Sequence, residues 1–194
     1  MRLVLSFALL ALTGPLFAQQ PDQPIKTTLC EIKRDPMSFN KKLVEVSGHA
    51  SHGVEDSMFE DASCFEGNGR PGIWMEYGGT AATDTMYCCG VTPSKEKKPL
   101  VVQGVSVNLV QDELFQRFDK LLHSQPRKEI SIRATVRARV FVNPVSVGQL
   151  HYLGGYGHMG CCMLLAIEQV IALDSTKVEP SIFDLAHSYE RKTN

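Results

Sequence analysis

The strongest constraint on the fold is the run from Ile130 to Val142. Ile130, Ile132, Ala134, Val136, Ala138, Val140 and Val142 alternate with Ser131, Arg133, Thr135, Arg137, Arg139 and Phe141. This is the period-2 pattern of a strand with one buried face. Seven inward positions at that spacing make about 40 Å of strand, long enough to bend around a barrel.

Other segments supply neighbours for it. Leu43 to Ala50 places Val44, Val46 and Ala50 on one face, a second strand fits Ser57 to Cys64, and a third puts Ile73, Met75 and Tyr77 together. Gly78 to Pro99 reads as a loop with the basic tract Lys95 to Lys98, and Leu100 to Val110 as an additional strand. The period then changes: Leu114, Phe115, Phe118, Leu121 and Leu122 form one helical stripe, with Asp112 able to cap it and Pro126 beyond its end. A shorter helix is expected over Thr28 to Arg34, capped by Thr28 and stopped by Pro36. After the long strand, a Gly-rich loop from Asn143 to Gly160 leads into Met163 to Leu173, apolar enough for a strand buried on both sides.

Three strands, a helix and two strands is the order of the OB-fold, a five-stranded Greek-key barrel. The expected class is therefore mainly β (α+β), with the helix between strands 3 and 4 plugging the barrel and Gly48 letting strand 1 curve. A β-sandwich would leave the mid-chain amphipathic helix unexplained. The expected boundaries are a signal peptide over 1–18, a flexible leader over 19–27, an OB-fold-like domain over 28–174 with an insertion at 78–110, and a polar tail over 175–194 with a helix from Ile182 to Arg191.

The signal peptide is read from Arg2, the apolar run Leu3 to Leu12 and the small residue Ala18. That run is too short to span a bilayer, and no membrane span is expected after its removal. Cleavage leaves 176 of the 194 residues, one domain's worth, with 19 basic against 21 acidic side chains because only Arg2 is lost. So balanced a charge gives no general attraction to nucleic acid or anionic membrane. The arginine row at 133, 137 and 139 reads as a solvated strand face, with Glu45 available to pair one of them.

Six cysteines in an exported chain read first as disulfides. In the barrel, the end of strand 2 returns beside the start of strand 1, so Cys64 is expected to pair with Cys30. A bridge from Cys88 or Cys89 to Cys161 or Cys162 would pin the long excursion after strand 3, with the partners left open. Metal binding at these thiols, helped by His158, Met159 and Met163, is disfavoured because the chain has no C-x-x-C.

Cys30, Glu31, Ile32, Pro36, Phe39, Lys42, Val44, Val46 and Gly48, with Glu55, Cys64, Ile73-Trp74 and the GYGHMGCC loop, carry a resemblance. The chain resembles an uncharacterised family of secreted bacterial OB-fold-like proteins, a domain of unknown function, over most of residues 28–174. The resemblance implies the fold and a secreted or periplasmic location in a bacterium. It implies no activity.

OB-folds bind ligands on the face flanked by the loop between strands 1 and 2 and the loop between strands 4 and 5. Candidate ligand-binding residues at that mouth are therefore His49, His52 and Glu55 from the first loop and His151, Tyr156 and His158 from the second. Imidazoles and carboxylates there suit a metal or an anion, and Tyr152 and Tyr156 suit stacking. Gly154 to Gly157 is not a phosphate-binding loop, since no Gly-Lys-Ser/Thr follows. No Ser-His-Asp arrangement, paired-carboxylate motif or HExxH is readable. The leading expectation is a non-catalytic module for a small ligand, glycan or protein, with no cofactor. The alternatives are an extracytoplasmic metal-binding protein using His49, His52, His151 and His158, and a hydrolase using the same loops.

Overall fold

Ile130–Phe141 forms one strand and is the seam on which the molecule closes. The computed structural model describes residues 22–53, 57–64, 72–81, 83, 98–124, 130–147, 150–174 and 179–180. The expected signal peptide, Glu55, Cys88, Cys89 and the expected helix from Ile182 to Arg191 lie outside them. In chain order the elements are β1 (Ile25–Lys26), α1 (Leu29–Arg34), α2 (Pro36–Phe39), β2 (Leu43–His52), β3 (Ser57–Glu60), β4 (Gly72–Tyr77), β5 (Val101–Val102) and β6 (Val105–Ser106). They continue with α3 (Glu113–His123), β7 (Ile130–Phe141), β8 (Asn143–Val147), β9 (Leu150–Gly154), β10 (Leu164–Leu173) and β11 (Glu179–Pro180).

The barrel order is β2-β3-β4-β10-β7, and β7 closes it by pairing back onto β2 from Leu43–Arg139 to His52–Ile130. All neighbours are antiparallel except β4 and β10. This is the expected β-rich, OB-like barrel. Its stagger follows from the register. Ser51 faces Met58, Met58 faces Trp74, Trp74 faces Leu164, and Leu164 faces Phe141. The ladder from β7 back to β2 continues through Val140 and Lys42, so Phe141 lies level with Lys41, ten residues before the starting point. A closed sheet needs such a shear, with strands steeply tilted to the axis. Two irregularities in β10, between Ile167 and Gln169 and between Val170 and Ala172, assist the bending.

Alternation divides the apolar side chains. Val44, Val46, Ala50, Phe59, Ile73, Met75, Tyr77, Val136, Val140, Leu165 and Ile167 join the interior cluster. Phe115, Phe118 and Leu122 of α3 belong to the same cluster, with Phe115 edge-on to Tyr77 at 5.1 Å. The helix thus plugs the barrel as its stripe requires, and the Asp112 carboxylate caps it by accepting from Phe115 N–H at 2.9 Å. Gly48 is required by close approach: a Cβ there would lie 2.7 Å from the Phe59 ring and 2.9 Å from Leu29 Cδ1. Leu29 reaches that space from α1, whose start is a capping box in which Thr28 Oγ1 accepts from Glu31 N–H and Glu31 Oε2 accepts from Thr28 N–H. The Thr27 hydroxyl, then Thr28 N–H, hold the Glu31 carboxyl below the usual range.

Four expectations are corrected. Leu100 to Val110 is not one strand: Gln103 and Gly104 both have positive φ, 48° and 78°, and turn the segment into the β5–β6 hairpin. The Gly-rich stretch after β7 is not all loop, because β8 and β9 pair from Asn143–Gly154 to Val147–Leu150. The second strand stops at Glu60 rather than Cys64. The Asp61 carboxylate accepts from Ser63 N–H at 2.9 Å and from the Ser63 hydroxyl at 2.7 Å, starting a 3-10 turn over Ala62–Cys64. Finally, Ile25–Lys26 of the expected leader adds to the sheet, parallel to Val44–Glu45, on the stretch of β2 edge that β3 leaves uncovered.

The arginine row is largely paired. Arg137 meets Glu45 at 3.1 Å, and Arg139 meets Glu168 at 2.9 Å and Asp22 at 3.0 Å. Burial opposes the Arg139 charge, but the hydrogen bonds it donates to these two carboxylates outweigh it and raise its pKa.

Candidate functional site

On β4, Ile73, Met75 and Tyr77 point inward, so Trp74 and Glu76 point out. A second apolar cluster forms around Trp74 on that outer face, with Met58, Phe141, Leu164 and Ala166 from the barrel and Val102, Val107 and Cys162 from the segments laid over it. The β5–β6 hairpin is held there by backbone bonds from Gly79 N–H to Val107 and from Val110 N–H to Glu168. At its tip, Gln103 Nε2 donates to Val142 O at 3.0 Å and to the Tyr156 hydroxyl at 2.9 Å.

Between this hairpin and the turn after β9 lies a cleft of about 820 Å³, lined by Trp74, Glu76, Lys98, Gln103, Asn143 and Tyr156 among others. Trp74 is itself fully buried and forms part of the floor, with its indole N–H donated to Glu76 Oε1 at 3.0 Å. The other Glu76 oxygen accepts from the Thr83 hydroxyl at 3.1 Å. Chemically this is an apolar floor with a hydroxyl, two amides, a carboxylate and an ammonium around its rim, the mixture typical of sites for small organic ligands.

The turn beside it is built on glycine. Gly157 has φ 71° and ψ −166°, a region that side chains avoid, and a Cβ there would lie 2.3 Å from Trp74 Cε3. Gly157→Ala is expected to cost about 2–3 kcal/mol and to shift the emission of Trp74, the single tryptophan of the chain. Urea unfolding followed by fluorescence measures both. An unchanged spectrum with a loss below about 0.5 kcal/mol would contradict the close packing.

The sequence-derived candidates occupy different places. Tyr156 lines the cleft, and His158 follows Gly157 in the 3-10 turn His158–Gly160. His52 lies at the end of β2, with Nε2 2.6 Å from Thr83 O. His49 faces the other side of β2, with Nδ1 3.0 Å from the Ser131 hydroxyl, beside a separate groove of about 420 Å³ that it lines with Arg133. His151 belongs to β9; Glu55 lies outside the described residues. The two clefts share no lining residue, so His49 and Tyr156 do not form one mouth.

The idea of a common rim also needs correction. β2 and β10 run in the same direction, so the loop after β2 and the loop before β10 leave opposite ends of the barrel. The shear nevertheless places Ser51 and Leu164 on one line across β2-β3-β4-β10, three strand spacings or about 14 Å apart. The two loops therefore border a face, and the outer side of β4 is its centre.

Sequence reasoning missed His123. Its ring lies 4.6 Å from that of His52, its Nε2 is 3.0 Å from the same Thr83 carbonyl, and its Nδ1 is 3.1 Å from Asp119 Oδ1. The i,i+4 spacing of Asp119 and His123 at a helix C-terminus was a readable local signal. The approach of His52 was not. It also misses Gln103 as a wall of the cleft, because the turn that presents it reads as strand in the sequence.

The thiols pair partly as expected. Cys30 is bonded to Cys64, joining α1 to the turn after β3. Cys161 is bonded to its neighbour Cys162, which overturns the expected bridge from that pair to Cys88 or Cys89. Among the described residues, the one grouping of three metal-type donors is Cys30, Asp61 and Cys64. Both of its sulfurs are spent in the disulfide, so it offers no thiolate to an ion. No helix among the described residues is long and apolar enough to cross a membrane. In comparisons with known proteins, the chain matches no family model, no curated protein and no solved structure.

Proposed function

We propose that this chain is an exported, disulfide-stabilised binding module that holds a small neutral glycan in the cleft over the outer face of β4. One observation carries the reading: Gln103 and Tyr156, from separate segments, are hydrogen-bonded to each other over one apolar floor that Asn143 also borders. Hydroxyl and amide groups around an apolar floor match a sugar, which presents hydroxyls at its edge and C–H groups on its faces. The near-balanced charge suits a neutral ligand better than a polyanion. The N-terminal apolar run and the Cys30–Cys64 bond support export into an oxidising compartment. The resemblance to secreted OB-fold-like bacterial proteins, proposed from short motifs, points the same way.

Trp74 provides the test. Titration of the mature protein with a series of neutral mono- to tetrasaccharides, including N-acetylated ones, is expected to give a saturable change in its emission with at least one of them. Tyr156→Ala should weaken that binding by about tenfold, the loss of one hydrogen bond and its apolar contact. No saturable response at millimolar saccharide, or equal affinity in Tyr156→Ala, would reject a glycan in this cleft.

A further inference from the structure

Cys161 and Cys162 form a ring that constrains almost no chain, whereas Cys30–Cys64 closes a loop across a separation of 34 residues. A cross-link stabilises chiefly by restricting the unfolded chain, and more so for long loops, so little folding stability is lost when the adjacent pair opens. Access is asymmetric as well. Cys161 is half-buried, while Cys162 is buried in the cluster around Trp74.

We propose that the Cys161–Cys162 bond is a thiol–disulfide exchange site, reduced in the folded protein by an extracytoplasmic dithiol reductant while Cys30–Cys64 stays oxidised. A thiolate of the reductant attacks Cys161 Sγ, the bond to Cys162 breaks, and Cys162 leaves as a thiolate. The reductant's second thiolate then displaces the Cys161 sulfur from the mixed disulfide. Two electrons pass to the pair, the reductant becomes a disulfide, and two protons finish on the Cys161 and Cys162 thiols. This exchange needs no ligand in the cleft.

The bond is wired to the cleft wall. Cys162 and Tyr156 exchange both backbone hydrogen bonds, at 3.1 and 3.0 Å, and Gly155 N–H donates to Gly160 O at 2.8 Å. The turn between them presses Gly157 against Trp74. Opening the ring frees the backbone at Cys162 to move, and Trp74 and Tyr156 feel it.

The experiment uses the mature protein prepared under oxidising conditions. Non-reducing peptide mapping comes first, then equilibration in graded dithiothreitol buffers, with alkylation read by mass spectrometry and Trp74 emission recorded in parallel. Cys161–Cys162 is expected to be half-reduced at a dithiol-to-disulfide ratio at least tenfold lower than Cys30–Cys64, with the emission change sharing its midpoint. The Cys161→Ser, Cys162→Ser double variant should emit like the mildly reduced wild type and ignore mild reductant. Simultaneous or later reduction of the pair would overturn the proposal, as would mapping that joins either cysteine to Cys88 or Cys89, or a double variant whose emission still responds. Because the wild-type titration stands alone, a variant that fails to fold leaves the proposal open to refutation, and the saccharide titration fails or succeeds independently of it.

Discussion

Replacing Phe118 by alanine is expected to remove about 3–5 kcal/mol of stability. Phe118 is fully buried among the residues that fill the barrel, with its ring 6.3 Å from that of Tyr77. Phe115, Leu122 and Tyr77 pack in the same cluster, so truncation leaves a cavity among them as well as a loss of apolar transfer energy. A domain of this size has a total stability of about 5–15 kcal/mol, so the variant should unfold at a much lower urea midpoint, with the slope unchanged. Gln116→Ala, on the exposed side of the same helix, is the control and should change stability by less than about 0.5 kcal/mol. If the two variants behaved alike, α3 would not be the plug.

The double replacement Cys30→Ala, Cys64→Ala is expected to cost about 3–4 kcal/mol, the chain-entropy value for a loop of this length. Both cysteines are removed together so that neither is left without its partner. The bond ties α1, which supplies Leu29 to the barrel, to the turn that ends the β2–β3 hairpin. The native contacts of both elements remain in the variant, so the loss is expected to come through the unfolded chain. Thermal unfolding without reductant should show the difference, and fully reduced wild type should approach the variant. A loss below about 1 kcal/mol would mean that the unfolded chain already keeps these segments together. This loss and that of Phe118→Ala should add, since one acts on the unfolded ensemble and the other on the packed core.

Much of the fold was legible because its signals are local. Ile130 to Val142 declares a strand through the alternation of its own residues, and Leu114 to Leu122 declares a helix in the same way. Thr28 and Glu31 announce the start of α1 by spacing alone. The Cys30–Cys64 bond was within reach because it needs only the order of the strands. Other features failed for local reasons of another kind. Gln103 carries a positive φ that its residue type rarely signals, so from sequence the β5–β6 hairpin reads as one strand. The pairing of β8 with β9 was hidden by glycines that suggest loop.

The chain by itself determined which residues point inward and where strand gives way to helix, because periodicity acts over a few neighbouring residues. Only the tertiary structure decided what meets what. The ten-residue shear set Ser51 level with Leu164, the outer face of β4 gathered Gln103 and Tyr156 above Trp74, His123 reached His52, and Cys161 closed on Cys162. Those meetings depend on the register between strands distant in sequence, and an alternating pattern fixes the face of each residue while leaving its height around the barrel undetermined.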